Sequence, residues 1–113
     1  MPRSPSFSPG DVVIVPFPFT DRATAKRRPA LVCSTREFNE RSAHVVLAMI
    51  TTATRAPWPG DVVLADRAAA GLPAASTVRW KLFTLDAALV LRRAGTLAER
   101  DRAACHEAHP VAT

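Results

Sequence analysis

The first apolar segment of the chain, residues 11–19, has the two-residue period of a β-strand. The side chains that repeat at every second position are Val13, Val15, Phe17 and Phe19. Successive side chains of a strand point to opposite faces, so these four share one face. We expect that face to lie in the core.

Five further runs of strand-like composition follow, separated by stretches rich in turn residues. They span residues 29–34, 44–52, 60–65, 76–82 and 88–93. The polar, cationic segment 20–27 has no apolar period and predicts a loop. Thr96 and Glu99 form a capping-box pattern, which predicts a helix over residues 97–109. The pattern as a whole predicts a mainly β domain, a small barrel, with a C-terminal α-helix.

Length and composition place these elements in one domain. With 113 residues, 48% of them hydrophobic and 22% charged, the chain can bury a core and is too apolar to be disordered. Charge or proline interrupts each apolar run before it could cross a bilayer. The first nine residues lack the apolar stretch of an export signal. We therefore expect a flexible leader over residues 1–9, a single domain over residues 10–113, no membrane association and a cytoplasmic location.

The net charge of +5 indicates that an anionic partner is accepted. Lys26 and Lys81 are the only lysines among 15 basic side chains, and arginine favours two-point contacts with phosphate. A coding sequence rich in G and C would also give many arginines. The charge alone therefore identifies no partner.

The cysteines and histidines do not indicate a cofactor. We expect no disulfide between Cys33 and Cys105 in a reducing compartment. Cys105, His106 and His109 are spaced like half of a zinc site, but no second pair of ligands lies near them in the sequence. We expect neither a metal nor another cofactor.

A series of short motifs runs in a fixed order through most of the chain. They are GDVV at 10–13, PFPFTD at 16–21, KRRPALV at 26–32, AMITT at 48–52, GL at 71–72, STVR at 76–79, KLFTLD at 81–86 and GTL at 95–97. No single motif is decisive, but in this order they are specific. The chain resembles the MazF/PemK family of bacterial toxin endoribonucleases.

The resemblance implies an SH3-like β-barrel of the CcdB/MazF type with a C-terminal helix. It further implies a homodimer that cuts single-stranded RNA, usually mRNA, without a metal and thereby inhibits translation and growth. A small acidic, MazE-like antitoxin would bind beside the polar first loop and block the RNA groove.

Arg28 and Thr51 are the candidate catalytic residues. Arg28 heads the second strand and Thr51 ends the third, and adjacent ends of neighbouring strands can converge on one phosphate. They also occupy the positions of the family's catalytic arginine and threonine. The residues alone leave two alternatives open: a surface ion pair of Arg28, for example with Asp11, and a strand-end threonine that bonds a turn.

Other side chains are candidates for contacts with the flanking RNA. They are Lys26, Arg27, Thr52, Arg79 and Lys81, each with the alternative of a simply solvated polar group. Trp58 and Trp80 could stack on bases, although tryptophan in a small domain is more typical of a core or a dimer interface. Trp80 also departs from the acidic or polar residue that the family often has in that strand.

Two other functions fit a small barrel. One is a CcdB-like toxin that poisons gyrase without being an enzyme, but this chain lacks the terminal Trp-Gly-Ile by which such toxins engage gyrase. The other is a barrel that binds RNA without cutting it. Incubation with long single-stranded RNA in the presence of a chelator separates the three.

Overall fold

The computed structural model describes residues 6–17, 26–52 and 57–109. Within these ranges six strands form one antiparallel sheet in the order β4-β5-β3-β2-β1-β6. The strands are β1 Asp11–Phe17, β2 Lys26–Val32, β3 His44–Thr51, β4 Val62–Val63, β5 Thr77–Asp86 and β6 Arg92–Thr96. Two helices accompany them, α1 Arg36–Ser42 and α2 Glu99–Ala108, with a short 3₁₀ turn at Ala87–Leu89. The predicted mainly β fold with a C-terminal helix is confirmed.

The sheet is buried on both faces. One core lies between the sheet and α2, and it contains Val12, Leu31, Ala48, Ile50, Val78, Trp80 and Cys105 among others. The second core lies on the opposite face, and it contains Phe7, Val13, Val15, Ala30, Val32, Val45, Leu47 and Leu85. Alternate residues of the central strands therefore pack in different cores, so a slip of one residue would exchange side chains of different size between two close-packed layers.

The second core ends before the end of β1. Val13 and Val15 are fully buried as predicted, but Phe17 is 39% exposed, so the prediction that it lies in the core is wrong. Phe17 pairs with Lys26 at the tip of the ladder, beyond the apolar layer. Phe19 lies outside the described residues. Phe7, which the sequence assigned to the leader, is buried in the second core, whereas the boundary at residue 9 stays a prediction.

Several element boundaries differ from those predicted. β2 begins at Lys26, so the end of the expected loop is strand; residues 20–25 of that loop lie outside the described residues. β5 runs on to Asp86, and the last strand is Arg92–Thr96 instead of 88–93 because Ala87–Leu89 makes the 3₁₀ turn. None of the described helices is long and apolar enough to cross a membrane.

The predicted capping box does not form. The helix α2 starts at Glu99 after Ala98, whose side chain makes no capping hydrogen bond. Thr96 instead ends β6, and its hydroxyl donates to Asp11 Oδ1 at 3.2 Å. Asp101, only 2% exposed, joins the helix to the preceding loop by accepting from the amides of Ala65 and Asp66 at 2.8 and 2.9 Å.

Helix α1 was not predicted, because its surface carries no apolar stripe. Its N-cap is Thr35, whose hydroxyl accepts from the Phe38 amide at 3.2 Å. Its anchor is polar: Asn39, 5% exposed, donates from Nδ2 to the carbonyl of Phe7 at 2.8 Å and accepts from the hydroxyl of Ser34. The Ser34 hydroxyl also accepts from the Val46 amide of β3 at 2.9 Å. One buried amide thus ties α1, the N-terminal segment and the sheet together.

We expect Asn39→Ala to lower the free energy of unfolding by about 1–3 kcal/mol, because it leaves the carbonyl of Phe7 and the hydroxyl of Ser34 without their buried partner. Urea denaturation measures this change. Glu37→Ala, which removes an exposed ion pair on the same helix, is the control and should change stability by no more than about 0.5 kcal/mol. Equal effects of the two substitutions would contradict the anchoring role of Asn39.

Candidate active site

The strand register brings Arg28 and Thr51 to one place. Val15 of β1 lies opposite Arg28, and Ala30 of β2 lies opposite Met49 of β3. If the pairing of β2 with β3 is continued by two residues, Arg28 lies opposite Thr51, just beyond the last paired residues. Residues opposite each other on neighbouring strands face the same side of the sheet. Arg28 and Thr51 therefore share one face at neighbouring strand ends.

Arg28 is an exposed and uncompensated cation. Among the described residues it has no hydrogen-bond or ion-pair partner. The alternative pairing with Asp11 is wrong, because that carboxylate instead contacts Arg93 Nε at 3.3 Å and accepts from the Ser8 amide at 2.9 Å. The guanidinium of Arg28 can therefore offer its N–H donors to an incoming anion.

Thr51 occupies the last position of β3, opposite Thr77 of β5. Both threonines are half-buried. Two residues before Thr51 in β3 is Met49, and two residues after Thr77 in β5 is Arg79; these two pair with each other one step deeper into the sheet. The face that carries Arg28 thus continues across three strands to Arg79.

Arg79 is held by a carboxylate. Its Nε and Nη2 atoms donate to Oδ1 and Oδ2 of Asp61 at 3.2 and 2.8 Å, and the two side chains are 15% and 16% exposed. The Trp58 amide donates to Oδ2 of the same carboxylate at 3.0 Å. These hydrogen bonds, chiefly that from Arg79, lower the pKa of Asp61, and the bond to Asp61 raises the pKa of Arg79. Asp61 therefore balances the charge of Arg79, unlike that of Arg28.

The two tryptophans have different environments. Trp80 is buried, donates from Nε1 to the Gly60 carbonyl at 2.6 Å and packs against the ring of His109. Trp80 therefore belongs to the core and does not offer its ring for stacking on a base. Trp58 is 42% exposed, and the ammonium of Lys81 lies 4.7 Å from its ring centroid. An exposed cation–π contact of this kind contributes about 0.5–1 kcal/mol.

The remaining candidates for RNA contacts fall on both sides of the sheet. Lys26 lies two residues before Arg28 in β2, so it shares the face of Arg28. Arg27 lies between them, opposite Pro16, and faces the other side. Thr52 is exposed directly after β3. The structure thus groups Lys26 with the catalytic candidates and separates Arg27 from them.

The thiols lie away from this face. Cys33 and Cys105 are both free and border one cavity of about 140 Å³ together with His106 and His109. Burial raises the pKa of Cys33 to about 12 and that of Cys105 to about 11, so both stay protonated near neutral pH. In the described ranges no three Cys, His, Asp or Glu side chains are grouped as metal ligands.

Asp61 is the residue beside the candidate site that the sequence analysis did not single out, although a signal was present. The pentapeptide PGDVV occurs at residues 9–13 and again at 59–63. In both copies the aspartate accepts from the amide three residues earlier, and the glycine has a positive φ, +94° at Gly10 and +81° at Gly60. Each aspartate also holds an arginine of a neighbouring strand, Arg93 in the first copy and Arg79 in the second.

Comparison with known proteins points to one family. The model of the PemK-like, MazF-like toxins of type II toxin–antitoxin systems matches residues 8–109. No curated protein sequence matches the chain.

Solved structures of this family share the fold. MazF from Deinococcus radiodurans superimposes with a TM-score of 0.70 at 20% identity, covering 91% of this chain and 92% of its own. The Mycobacterium tuberculosis toxin MazF-mt6 gives 0.70 at 24% identity, covering 87% and 90%. An endoribonuclease from a mycobacterial species, solved with its cognate antitoxin, gives 0.70 at 18% identity, covering 91% and 88%. The predicted barrel of the MazF type is therefore confirmed.

We expect Asp61→Asn to lower the melting temperature at pH 7 by a few degrees, because it weakens the bond to Arg79. The pKa of Asp61 in the folded protein lies below its ordinary value of 3.8, so the carboxylate stabilises the fold above that pH and the stabilisation disappears as the pH falls through the folded pKa. The difference between the variant and the wild type should therefore shrink below about pH 4.

Thermal unfolding of both proteins between pH 7 and pH 3, followed by circular dichroism, measures this dependence. Glu37→Gln in the exposed pair with Arg41 is the control and should have little effect at any pH. A difference for Asp61→Asn that stays constant down to pH 3 would contradict the assignment.

Proposed function

Because this chain belongs to the PemK-like, MazF-like toxin family of type II toxin–antitoxin systems, we propose that it is an endoribonuclease with Arg28 and Thr51 as its catalytic pair. One observation carries the assignment of the pair: Arg28, which is exposed and has no ion-pair partner within residues 6–17, 26–52 and 57–109, lies across the register from Thr51 on one face of the sheet. The related structures described as an endoribonuclease and as MazF toxins support the activity.

The proposed reaction uses the nucleophile that RNA itself carries. The 2′-hydroxyl attacks the adjacent phosphorus, a new P–O bond forms, and the bond to the 5′-oxygen breaks. The products are a 2′,3′-cyclic phosphate and a free 5′-hydroxyl, which takes the proton that the 2′-hydroxyl has lost. The protein therefore has to position the strand and stabilise charge, and no step requires a protein nucleophile.

Arg28 stabilises the transition state. A guanidinium can donate to two phosphate oxygens at once, and these oxygens gain negative charge as the phosphorus becomes five-coordinate. Arginine holds its proton far above neutral pH, so we assign Arg28 to charge stabilisation and not to proton transfer.

Thr51 orients the reacting groups. Its hydroxyl is too weak a base to remove a proton at neutral pH, but it can donate to a phosphate oxygen or accept from the 2′-hydroxyl. A half-buried position at the end of β3 limits the directions in which the hydroxyl can point. This role requires placement more than reactivity.

We propose that the flanking RNA follows the cationic face. Lys26 adjoins Arg28 on that face, and Lys81 lies beyond the Arg79–Asp61 pair. Arg27 and Thr52 stay candidates for contacts with RNA. They would bind phosphates that lie outside the face of Arg28. Binding that depends on such contacts weakens steeply as salt rises.

The same surface suits the proposed partners. A homodimer would join two copies of Arg28 and Thr51 into a longer cationic groove for single-stranded mRNA. An acidic, MazE-like antitoxin would be attracted to this surface by the net charge of +5 and would cover it. The antitoxin proposal is supported by the related complex of an endoribonuclease with its cognate antitoxin. We place the activity in the cytoplasm, within a single domain over residues 10–113.

The alternatives have less support. A gyrase poison would not need a free arginine opposite a threonine, and a barrel that only binds RNA would not need the Thr51 hydroxyl at a fixed place. Cleavage of long single-stranded RNA by the purified protein in the presence of a chelator tests the proposal directly. Binding without cleavage would contradict it.

We expect Arg28→Ala to reduce the cleavage rate by a factor of about 10²–10³ while the fold stays intact, because one donor to the transition-state charge is lost. Single-turnover cleavage of a defined RNA measures the rate, and circular dichroism checks the fold. Arg100→Ala is the matched control, since it removes an exposed arginine of α2. Wild-type rates in a folded Arg28→Ala protein would rule out the assignment.

We expect Thr51→Val to slow cleavage by roughly tenfold or more, with little change in RNA affinity, because it keeps the branched shape and deletes one hydrogen-bonding group. Comparing the single-turnover rate at saturating protein with the dissociation constant separates the two effects. Thr84→Val, at an exposed position of β5, is the control. If affinity falls and the rate does not, Thr51 is a binding or structural residue.

A further inference from the structure

We propose that Trp58, Asp61 and Arg79 form a subsite that binds one guanine base of the RNA strand next to the cleaved phosphate. The inference rests on the proposed function, because it assigns a base to the strand that Arg28 and Thr51 would cut. Its evidence is separate, since it comes from the contacts of these three residues.

The donors of Arg79 are divided between two directions. Nε–H and one N–H of Nη2 donate to Asp61 at 3.2 and 2.8 Å. The remaining three N–H groups, on Nη1 and Nη2, have no partner among the described residues, and no polar side-chain atom in those ranges is both buried and unsatisfied. Asp61 therefore fixes the plane of the guanidinium and leaves a second edge free.

This free edge matches the chemistry of guanine. Guanine presents two acceptors, O6 and N7, to a pair of parallel N–H donors, whereas adenine presents N7 beside an amino group that is itself a donor. Single-stranded RNA exposes these edges to a protein. An arginine held in one plane by a carboxylate thus favours guanine over adenine.

Trp58 supplies the stacking surface. Its ring is 42% exposed, and its backbone amide donates to Asp61 at 3.0 Å, so the same carboxylate fixes the backbone of Trp58 and the guanidinium of Arg79 near each other. The contact of Lys81 with the ring is an exposed one, and base stacking on an indole is the stronger interaction. A base that stacks there displaces the ammonium of Lys81, which can then pair with the phosphate of the same nucleotide.

The subsite lies beside the catalytic candidates. Thr77 is opposite Thr51, and Arg79 lies two residues further along β5, roughly 6.6 Å at the usual rise of a strand. Arg79 also shares the face of Thr51, because its partner Met49 is two residues before Thr51 in β3. A strand bound at Arg28 and Thr51 therefore passes Arg79 with an adjacent nucleotide.

The test uses 2′-O-methyl oligoribonucleotides, which lack the attacking hydroxyl and are bound without being cut. The probes are heptamers of uridine with guanosine, adenosine or 7-deazaguanosine at the centre. We expect the wild type to bind the guanosine heptamer about 5- to 150-fold more tightly than the other two. The 7-deazaguanosine probe removes only N7, so it tests the contact without any change in the protein.

Two variants assign the effect to residues. Arg79→Lys keeps the charge but loses the two-donor edge, and it should abolish the preference for guanosine. Trp58→Leu should weaken all three heptamers by similar factors. The matched controls on α1 are Arg41→Lys, in an exposed ion pair, and Phe38→Leu, at an aromatic side chain 43% exposed; neither should change binding.

Equal affinity of the wild type for the three heptamers, or no binding of any of them, would overturn the subsite. A second result would also overturn it: tryptophan emission that shifts to shorter wavelength as the protein concentration rises and does not change when a heptamer is added. That result would assign Trp58 to an interface between copies of the chain. Arg28→Ala separates this inference from the proposed function, because it should keep the guanosine preference while it loses cleavage. A wild type that cuts RNA but shows no preference would leave the nuclease assignment intact and remove the guanine subsite.

Discussion

The register between β2 and β3 is the constraint on which the candidate site depends. A slip of one residue would turn every side chain of a strand to the opposite face. Here such a slip would move Leu31 into the core that Ala30 and Val32 fill, and their different sizes disfavour that exchange in close-packed layers. The free energy that holds Arg28 and Thr51 on one face is therefore that of burying apolar side chains several residues away.

Electrostatics then distinguishes the arginines from one another. Asp11 pairs with Arg93 and Asp61 with Arg79, so these two guanidinium groups are fixed and their charge is balanced. Arg28 has no such partner among the described residues, which leaves its charge available to a ligand. The chemistry of the site arises as much from which carboxylates are already engaged as from the number of basic residues.

Much of this arrangement could be predicted from the sequence, and the failures have physical causes. The period of two in β1 predicts Val13 and Val15 as core residues, which the structure confirms, and the motifs predict Arg28 and Thr51 as catalytic candidates. Helix α1 escaped prediction because a buried amide, and not an apolar stripe, fixes it to the sheet. Thr96 has the pattern of a helix cap, a threonine three residues before a glutamate, but the buried Asp11 accepts from its hydroxyl instead. Asp61 was missed because its role depends on an arginine 18 residues away that only the sheet brings close.

The repeated PGDVV turn has a consequence for how such a chain can diversify. The first copy packs into the centre of the domain, where Asp11 is 7% exposed and linked to β6, so any change there disturbs the whole fold. The second copy begins a strand of two residues at the edge of the sheet. Substitutions around Asp61 are therefore expected to disturb the central strands that carry Arg28 and Thr51 less than substitutions around Asp11. The same local structure is a fixed element of the scaffold in one place and, in the other, a position at which the proposed nucleotide preference could change while the proposed catalytic pair stays in place.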